Sequence, residues 1–284
     1  MADRKLRIGR ISFSNLFPIF RVLEESPHTH LYEFVEGHPA ELNRTLRDGK
    51  LDLSPSSSVE YLRNSGLYTL IPGNSISSRG PVRSIILLSR VPIGSLGGRE
   101  IAVTHKTASS SALLEVLLRK FHGISAALVP TSAPLEEAAR EHDAYLSIGD
   151  EALVAQARAL PMGACPGEEG CRLGSIGDKT LRIYDLGDLW YRETGLPFVF
   201  ALWIVRRDAA AGKKDLLDVF SEDLDRARSG AVARLEELAA APGLPLPTEE
   251  MIPYWRGILY GLDENCLRGL EAFRASLSEL GLLS

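Results

Sequence analysis

Ile8-Gly9-Arg10-Ile11-Ser12-Phe13-Ser14-Asn15-Leu16-Phe17-Pro18 is the stretch whose reading decides the fold. An apolar-rich run from Leu6 to Ile11 reads as a strand. Small polar residues then turn the chain, and an apolar segment with Pro18 near its start reads as a helix. Strand, loop and helix in that order begin an α/β unit. Asn15 falls on the loop, where its amide offers a ligand both a donor and an acceptor. The competing reading is a helix cap, a role that Ser14 and Asn15 both suit. These residues alone leave the two readings open.

Outward from this stretch, strand-like and helix-like patterns alternate, which predicts α/β architecture with a mainly parallel sheet. Tyr32–Glu36 and Leu51–Leu53 read as strands. Between them lies a helix from Pro39 to Arg47, with Gly49 at its stop. Ser57 and Glu60 have capping-box spacing. Val82–Leu88 reads as a strong strand, followed by the breakers Pro92, Gly94, Gly97 and Gly98. Ile101–Val103, Ala126–Val129, Ala144–Ile148 and Leu181–Tyr184 read as further strands. Thr107–Ser111 leads into a helix whose Leu113, Leu114, Leu117 and Leu118 form an apolar stripe, and further helices fall at Leu135–Glu141 and near Asp188–Glu193. Val199–Val205 is a second strong strand, and everything from Lys213 onward reads helical.

The two strong strands bracket a middle segment with an α/β pattern of its own. The expectation is a first lobe of residues 1–89 plus 200–284 and an inserted second lobe of residues 90–199. Hinge strands are expected near residues 85–92 and 188–203, with a ligand cleft between the lobes. The alternative is one doubly wound domain with a helical tail. It lacks both nucleotide-loop motifs, G-x-G-x-x-G and G-x-x-x-x-G-K-[ST].

Composition narrows the function. The 284 residues are 45% hydrophobic and 24% charged, as in ordinary globular chains. A net charge of -5 argues against a nucleic-acid surface, which would be basic. No apolar run approaches the roughly 18 residues that span a bilayer. Met1 to Arg10 is basic but is followed by no secretory apolar segment, so a cytoplasmic location is expected. Three cysteines, an odd number, argue against a disulfide framework. Cys165 and Cys171 bracket a Gly-rich loop, but their spacing is too wide for a usual zinc pair and no second pair follows. No metal or cofactor is called for. Cys266 sits in an apolar helical pattern and reads as core.

Two hydroxyl clusters precede helices: Ser56-Ser57-Ser58, and Thr107 through Ser111. Helix N-termini present unpaired N–H groups and suit carboxylates. One cluster alone would be a cap; two, one per expected lobe, fit a small dianion held from both sides. Ser84 lies in the Val82–Leu88 run, where alternation would put Val82, Ser84 and Ile86 on one face. Arg79 and Arg83 could offer a fork to a carboxylate or could simply be solvated. Asp150 follows a strand and reads as a helix cap. No His spacing suggests a metal site, and no Ser-His-Asp set can be assigned.

Together these motifs resemble the chorismate dehydratase family of menaquinone biosynthesis. The resemblance is carried by Gly9–Asn15 with Pro18, Asp52–Glu60, Gly80–Ser84, Thr107–Ser111 with Leu113 and Leu114, Ile148–Leu153, and Asp185–Trp190 with Gly195–Phe198. It runs from about Leu6 to Trp203, and the cysteine loop is outside it. It implies a two-lobed, periplasmic-binding-protein-like (type II) α/β fold. It also implies a hydro-lyase that removes water from chorismate to give 3-[(1-carboxyvinyl)oxy]benzoate. The family's active-site Asn and Ser match Asn15 and Ser84. Ser56, Ser57, Thr107, Ser109, Ser110 and Asp150 are the expected substrate-binding residues. The chemistry suits such a site. The C3 proton is vinylogously acidic and aromatisation drives the elimination, so fixed hydrogen-bond donors can suffice. The substrate's own enolpyruvyl carboxylate could accept the proton.

Two other functions compete: 1,4-dihydroxy-6-naphthoate synthase of the same pathway, and a non-catalytic cytoplasmic small-anion binding protein. The Leu-rich C-terminal helices are expected either to pack on the first lobe or to form a homodimer face.

Overall fold

The computed structural model describes residues 5–104, 108–176 and 179–283. The chain divides into two compact units. The first runs through Ser77 and resumes over Val199–Glu264; the second is Ser78–Phe198 with the chain from Asn265 onward. The strand after Ser84 and the C-terminal helix therefore belong to the second unit, although the sequence reading assigned both to the first lobe.

The first unit contains strands β1 (Leu6–Ile11), β2 (Tyr32–Gly37), β3 (Leu53–Ser57) and β4 (Tyr68–Ser78). Helices α1 (Phe17–Leu23), α2 (Pro39–Arg47) and α3 (Ser58–Arg63) lie among them. The second unit continues with β5 (Ile85–Ser89), β6 (Glu100–Thr104), α4 (Ala108–Val116), β7 (Ala127–Thr131), α5 (Leu135–Glu141), β8 (Ala144–Ile148) and α6 (Gly149–Arg158). It adds β9 (Leu160–Ala164), β10 (Cys171–Ile176), β11 (Lys179–Asp185) and α7 (Leu186–Thr194). The chain returns to the first unit through β12 (Phe198–Arg206), α8 (Arg207–Gly212), α9 (Lys214–Ala233), α10 (Leu235–Ala239), α11 (Thr248–Arg256) and β13 (Leu259–Gly261), and ends with α12 (Glu264–Glu279).

Both sheets are mixed, and this corrects the expectation of a mainly parallel sheet. The first has the order β13-β4-β12-β3-β1-β2 and the second β7-β6-β8-β5-β11-β10-β9. β1 runs parallel to β2 and β3, and β6 parallel to β7 and β8. β12 lies antiparallel to β3, and β5 antiparallel to β8 and β11. β12 is apolar on both faces because it is a central strand covered on both sides.

The core of the first unit is aromatic. Trp203 packs against Phe20 and Phe220 at 5.6 and 5.8 Å, and Tyr32 meets Phe220 edge-on at 5.3 Å. Beside this core Asp223 is almost fully buried. It accepts hydrogen bonds from Tyr32 Oη at 2.6 Å, Ser26 Oγ at 2.5 Å, His28 Nδ1 at 3.1 Å and the Arg226 guanidinium. Burial pushes its carboxyl pKa up, but these donors outweigh burial and hold it at about 2. Between about pH 4 and 2 the folded protein thus binds fewer protons here than the unfolded chain does. Its stability must fall as pH falls through that window. Urea unfolding between pH 6 and 2 is expected to show the parent losing about 2 kcal/mol more than Asp223→Asn, the linkage of a shift near two units.

In the second unit Trp190, Phe198 and Phe273 form an edge-on trio at 4.7 to 5.9 Å. Phe273 brings α12 into this core, and Cys266 is buried on the same helix, as expected of a core thiol.

The cysteine loop is not as expected. β9 and β10 form an antiparallel hairpin in which Ala164 pairs with Arg172. That register sets Cys165 opposite Cys171 with their Cα atoms 5.4 Å apart, and the two form a disulfide. An odd cysteine count had hidden this local pairing. Glu168 lies within 4.8 Å of both sulfurs. Bonded cysteines present no thiolate, however, and the Glu168 carboxylate is engaged by Arg182 and Tyr184.

Candidate active site

The carboxyl ends of β1 and β3 form one edge of the first sheet. The parallel pairing of Ile8 with Leu53, extended three residues, sets Ile11 level with Ser56. Ligands of open α/β sheets gather outside such strand ends. The loop leaving β1 is fixed by its backbone. Ser14 O accepts from Trp255 Nε1 at 2.8 Å, and Asn15 O accepts from Tyr260 Oη at 2.8 Å. Both aromatic groups come from the segment α11–β13, more than 200 residues away. Leu16, not Ser14 or Asn15, occupies the N-cap of α1, and no side chain caps that helix. The cap reading of Asn15 is therefore excluded. Its Oδ1 is buried with no hydrogen-bond partner.

Ser56 Oγ is likewise buried without a partner. Ser56 is the penultimate residue of β3 and not part of a helix entrance, so that expectation is corrected. Ser57 caps α3, accepting from Glu60 N at 3.3 Å. The Glu60 carboxylate is taken up by Arg47, Asn64 and Tyr68. Orphaned buried polar atoms cost about 1–3 kcal/mol each and call for a reason. A ligand with complementary donors is one.

In the second sheet Ile148 of β8 lies opposite Ile85 of β5, while β6 runs parallel to β8. The carboxyl ends of β6 and β8 and the entry to β5 thus share an edge. Ser84 sits just before β5, buried, with its carbonyl accepting from Gly149 N at 2.7 Å. It is not in the strand, which corrects the face assignment drawn from alternation. The chain turns there because Arg83 has φ of +66°, the only positive value at a non-glycine residue among the described residues. Ser109 and Ser110 are buried in the first turn of α4, after β6. Thr107 lies outside the described residues. Asp150 falls within the first turn of α6; Ile148 is the N-cap position, so Asp150 is not the cap. An acidic group there still favours the helix dipole.

Asp185 was not singled out by its side chain, yet it organises the Ser84 loop. Its Oδ1 accepts from Val82 N at 3.0 Å, Gly187 N at 2.9 Å and Asp188 N at 3.2 Å, and its Oδ2 accepts from Arg83 N at 2.6 Å. Burial pushes its pKa up to about 6, against the four N–H donors that favour the carboxylate. The sequence does carry a cap signal at Asp185, just before α7. The contacts to residues more than 100 positions earlier leave no local signal, and neither do those of Trp255 and Tyr260.

A pocket of about 400 Å³ also lies in the second unit, lined by Pro81, Gln156, Arg172, Asp185, Asp188 and Arg192 among others. It contains none of the residues expected to bind substrate.

A family profile described as menaquinone biosynthesis matches residues 6–279. The chorismate dehydratase of Thermus thermophilus is 31% identical over 276 residues, which cover 95% of this chain and 94% of that protein. The chain belongs to the chorismate dehydratase family of menaquinone biosynthesis. Solved structures agree with the fold. Protein AF1704 from Archaeoglobus fulgidus superposes with a TM-score of 0.75 at 17% identity, covering 99% of this chain and all of that one. A Candida albicans protein with the generic periplasmic-binding-protein fold reaches 0.62 at 11% identity, over 99% and 91% of the two chains. At such identities the likeness shows the fold alone. It is the periplasmic-binding-protein-like α/β fold that the resemblance implied.

Proposed function

We propose that this protein is a chorismate dehydratase, a carbon–oxygen lyase of the cytoplasm that converts chorismate to 3-[(1-carboxyvinyl)oxy]benzoate and water. The observation that carries this reading is the buried, unpartnered amide oxygen of Asn15 at a sheet edge, in a chain of that family. Such an acceptor suits a substrate that brings its own hydroxyl donor.

In the reaction the C3 proton leaves, the C3–H electron pair becomes the new C3–C4 double bond, and the C4 hydroxyl departs as water. The ring becomes aromatic. Asn15 is proposed to orient the C4 hydroxyl, and Ser84 to hydrogen-bond the substrate. Ser56 and Ser57 are proposed for one carboxylate, and Thr107, Ser109 and Ser110 for the other, with Asp150 proposed as a further substrate-binding residue. Charge that develops on the ring carboxylate is stabilised by fixed N–H and O–H donors, which need no reorganisation during the reaction. The proton acceptor is proposed to be the enolpyruvyl carboxylate of the substrate, which passes the C3 proton to the departing C4 hydroxyl so that it leaves as water and the carboxylate is regenerated.

The test is incubation of purified protein with chorismate, followed by mass and ultraviolet analysis for an aromatic product lighter by one water. Binding without product would point to the small-anion binder, and no binding to the naphthoate synthase. Ser56→Ala gives a finer check. It is expected to leave stability within about 1 kcal/mol, since no intramolecular hydrogen bond is lost. Its KM for chorismate is expected to rise roughly tenfold, as for one lost hydrogen bond.

A further inference from the structure

The motif Asp185-Leu186-Gly187 has no part in the chemistry just described, yet both oxygens of its carboxylate are spent on the loop before Ser84. Oδ2 takes the amide of Arg83 at 2.6 Å, and Oδ1 takes that of Val82 at 3.0 Å. Arg83 is held at φ +66°, a conformation that an L side chain rarely adopts without outside support. The Arg83 carbonyl is held in turn by Gln156 Nε2 at 3.0 Å. The same Oδ1 caps α7 through Gly187 N and Asp188 N. At Gly187 a Cβ would lie 2.7 Å from Gly80 O and 2.8 Å from Ser78 Oγ, so the helix start and the loop touch backbone to backbone. An ordinary cap would need only the two helix amides.

We propose that Asp185 is a positioning residue for Ser84: it locks the turn at Val82–Arg83 and so fixes where the Ser84 hydroxyl stands. Its turnover readout rests on the chorismate dehydratase reading; its amide-exchange readout does not. The deciding variant is Asp185→Ser. Serine still caps a helix but is too short to reach Arg83 N.

The melting temperature of Asp185→Ser is expected to fall by several degrees, because the Val82 and Arg83 amides lose their acceptor, with the protein still folded at the assay temperature. Its kcat for chorismate falls roughly 10- to 100-fold, while KM changes less than about threefold. In a Ser84→Ala background the same substitution lowers kcat by less than about threefold, because the group it positions is already gone. Amide hydrogen exchange at Val82 and Arg83 accelerates. A parental kcat in Asp185→Ser, an undiminished loss in the Ser84→Ala background, or unchanged exchange at the two amides would overturn the inference. Asp185→Asn, which sets an N–H donor against the Arg83 amide, repeats the test should the serine variant fold poorly. Global unfolding of both variants would make Asp185 a general folding residue and also overturn it. A parent that leaves chorismate unchanged sinks the dehydratase reading instead, and the exchange measurement then decides Asp185 alone.

Discussion

Asn15→Ala is expected to lower kcat for chorismate by about 10²- to 10³-fold while moving the melting temperature by no more than about 2 °C. The two halves of this expectation come from different observations. The small effect on stability follows because Oδ1 makes no hydrogen bond within the protein, and removing it leaves no new orphan. The loop does not depend on the side chain either, since Trp255 and Tyr260 hold the backbone carbonyls of Ser14 and Asn15. The large effect on rate has the size seen when one preorganised hydrogen-bonding group is removed from a reacting centre. Steady-state kinetics and thermal melts on the same preparation check both halves. A variant that turns over chorismate at the parental rate would remove Asn15 from the site. A variant that melts far below the parent would show that the amide supports the fold.

Gly269→Ala is expected to show the opposite pattern, with a large loss of stability. A Cβ at Gly269 would stand 2.0 Å from the carbonyl oxygen of Pro197. The obstacle is backbone, so no side-chain rotation relieves it. Either α12 lifts away or the segment entering β12 shifts, and both moves open the Trp190–Phe198–Phe273 cluster. Overpacking of this kind costs about 3 kcal/mol or more. For a chain of this size the melting temperature should fall by about 6–12 °C. A calorimetric scan of the two proteins checks it. A melting temperature within 2 °C of the parent would mean that α12 does not approach Pro197 as closely as described.

Much of the first site could be read in the sequence because it is local. Strand, turn and helix follow one another between Leu6 and Leu23, and their boundaries are set by short-range propensities. α2 likewise runs from Pro39 to Arg47 with Gly49 in the left-handed region after it, as its terminal residues require. The Asn15 position could be narrowed to two roles by residue type alone. Choosing between them needed the hydrogen-bond count around Oδ1.

Where local signals conflicted, the reading slipped. β4 contains Pro72, Gly73 and Asn74, residue types that favour turns, yet the neighbouring strands draw Tyr68–Ser78 into one strand. β13 was read as helix because everything around it is. Ser84 looked like part of an apolar strand, but the chain bends at Arg83 under the hold of Asp185. Cys165 and Cys171 meet because a hairpin puts them opposite each other, and Pro161, Gly163 and Gly174 within its strands interrupt any strong strand pattern.

The sequence by itself determined the α/β class, most of the individual elements and the residue types available at each strand end. These depend on periodicity and on capping, which act over a few residues. Only the tertiary structure decided which strands run antiparallel, which hydroxyl is a cap and which is left without a partner, and what holds the Ser84 turn. Those outcomes rest on contacts such as Asp185 with Arg83, 102 residues apart, and Trp255 with Ser14, 241 residues apart. Long-range hydrogen bonds and packing are set by the whole chain's burial, so no window of sequence contains them.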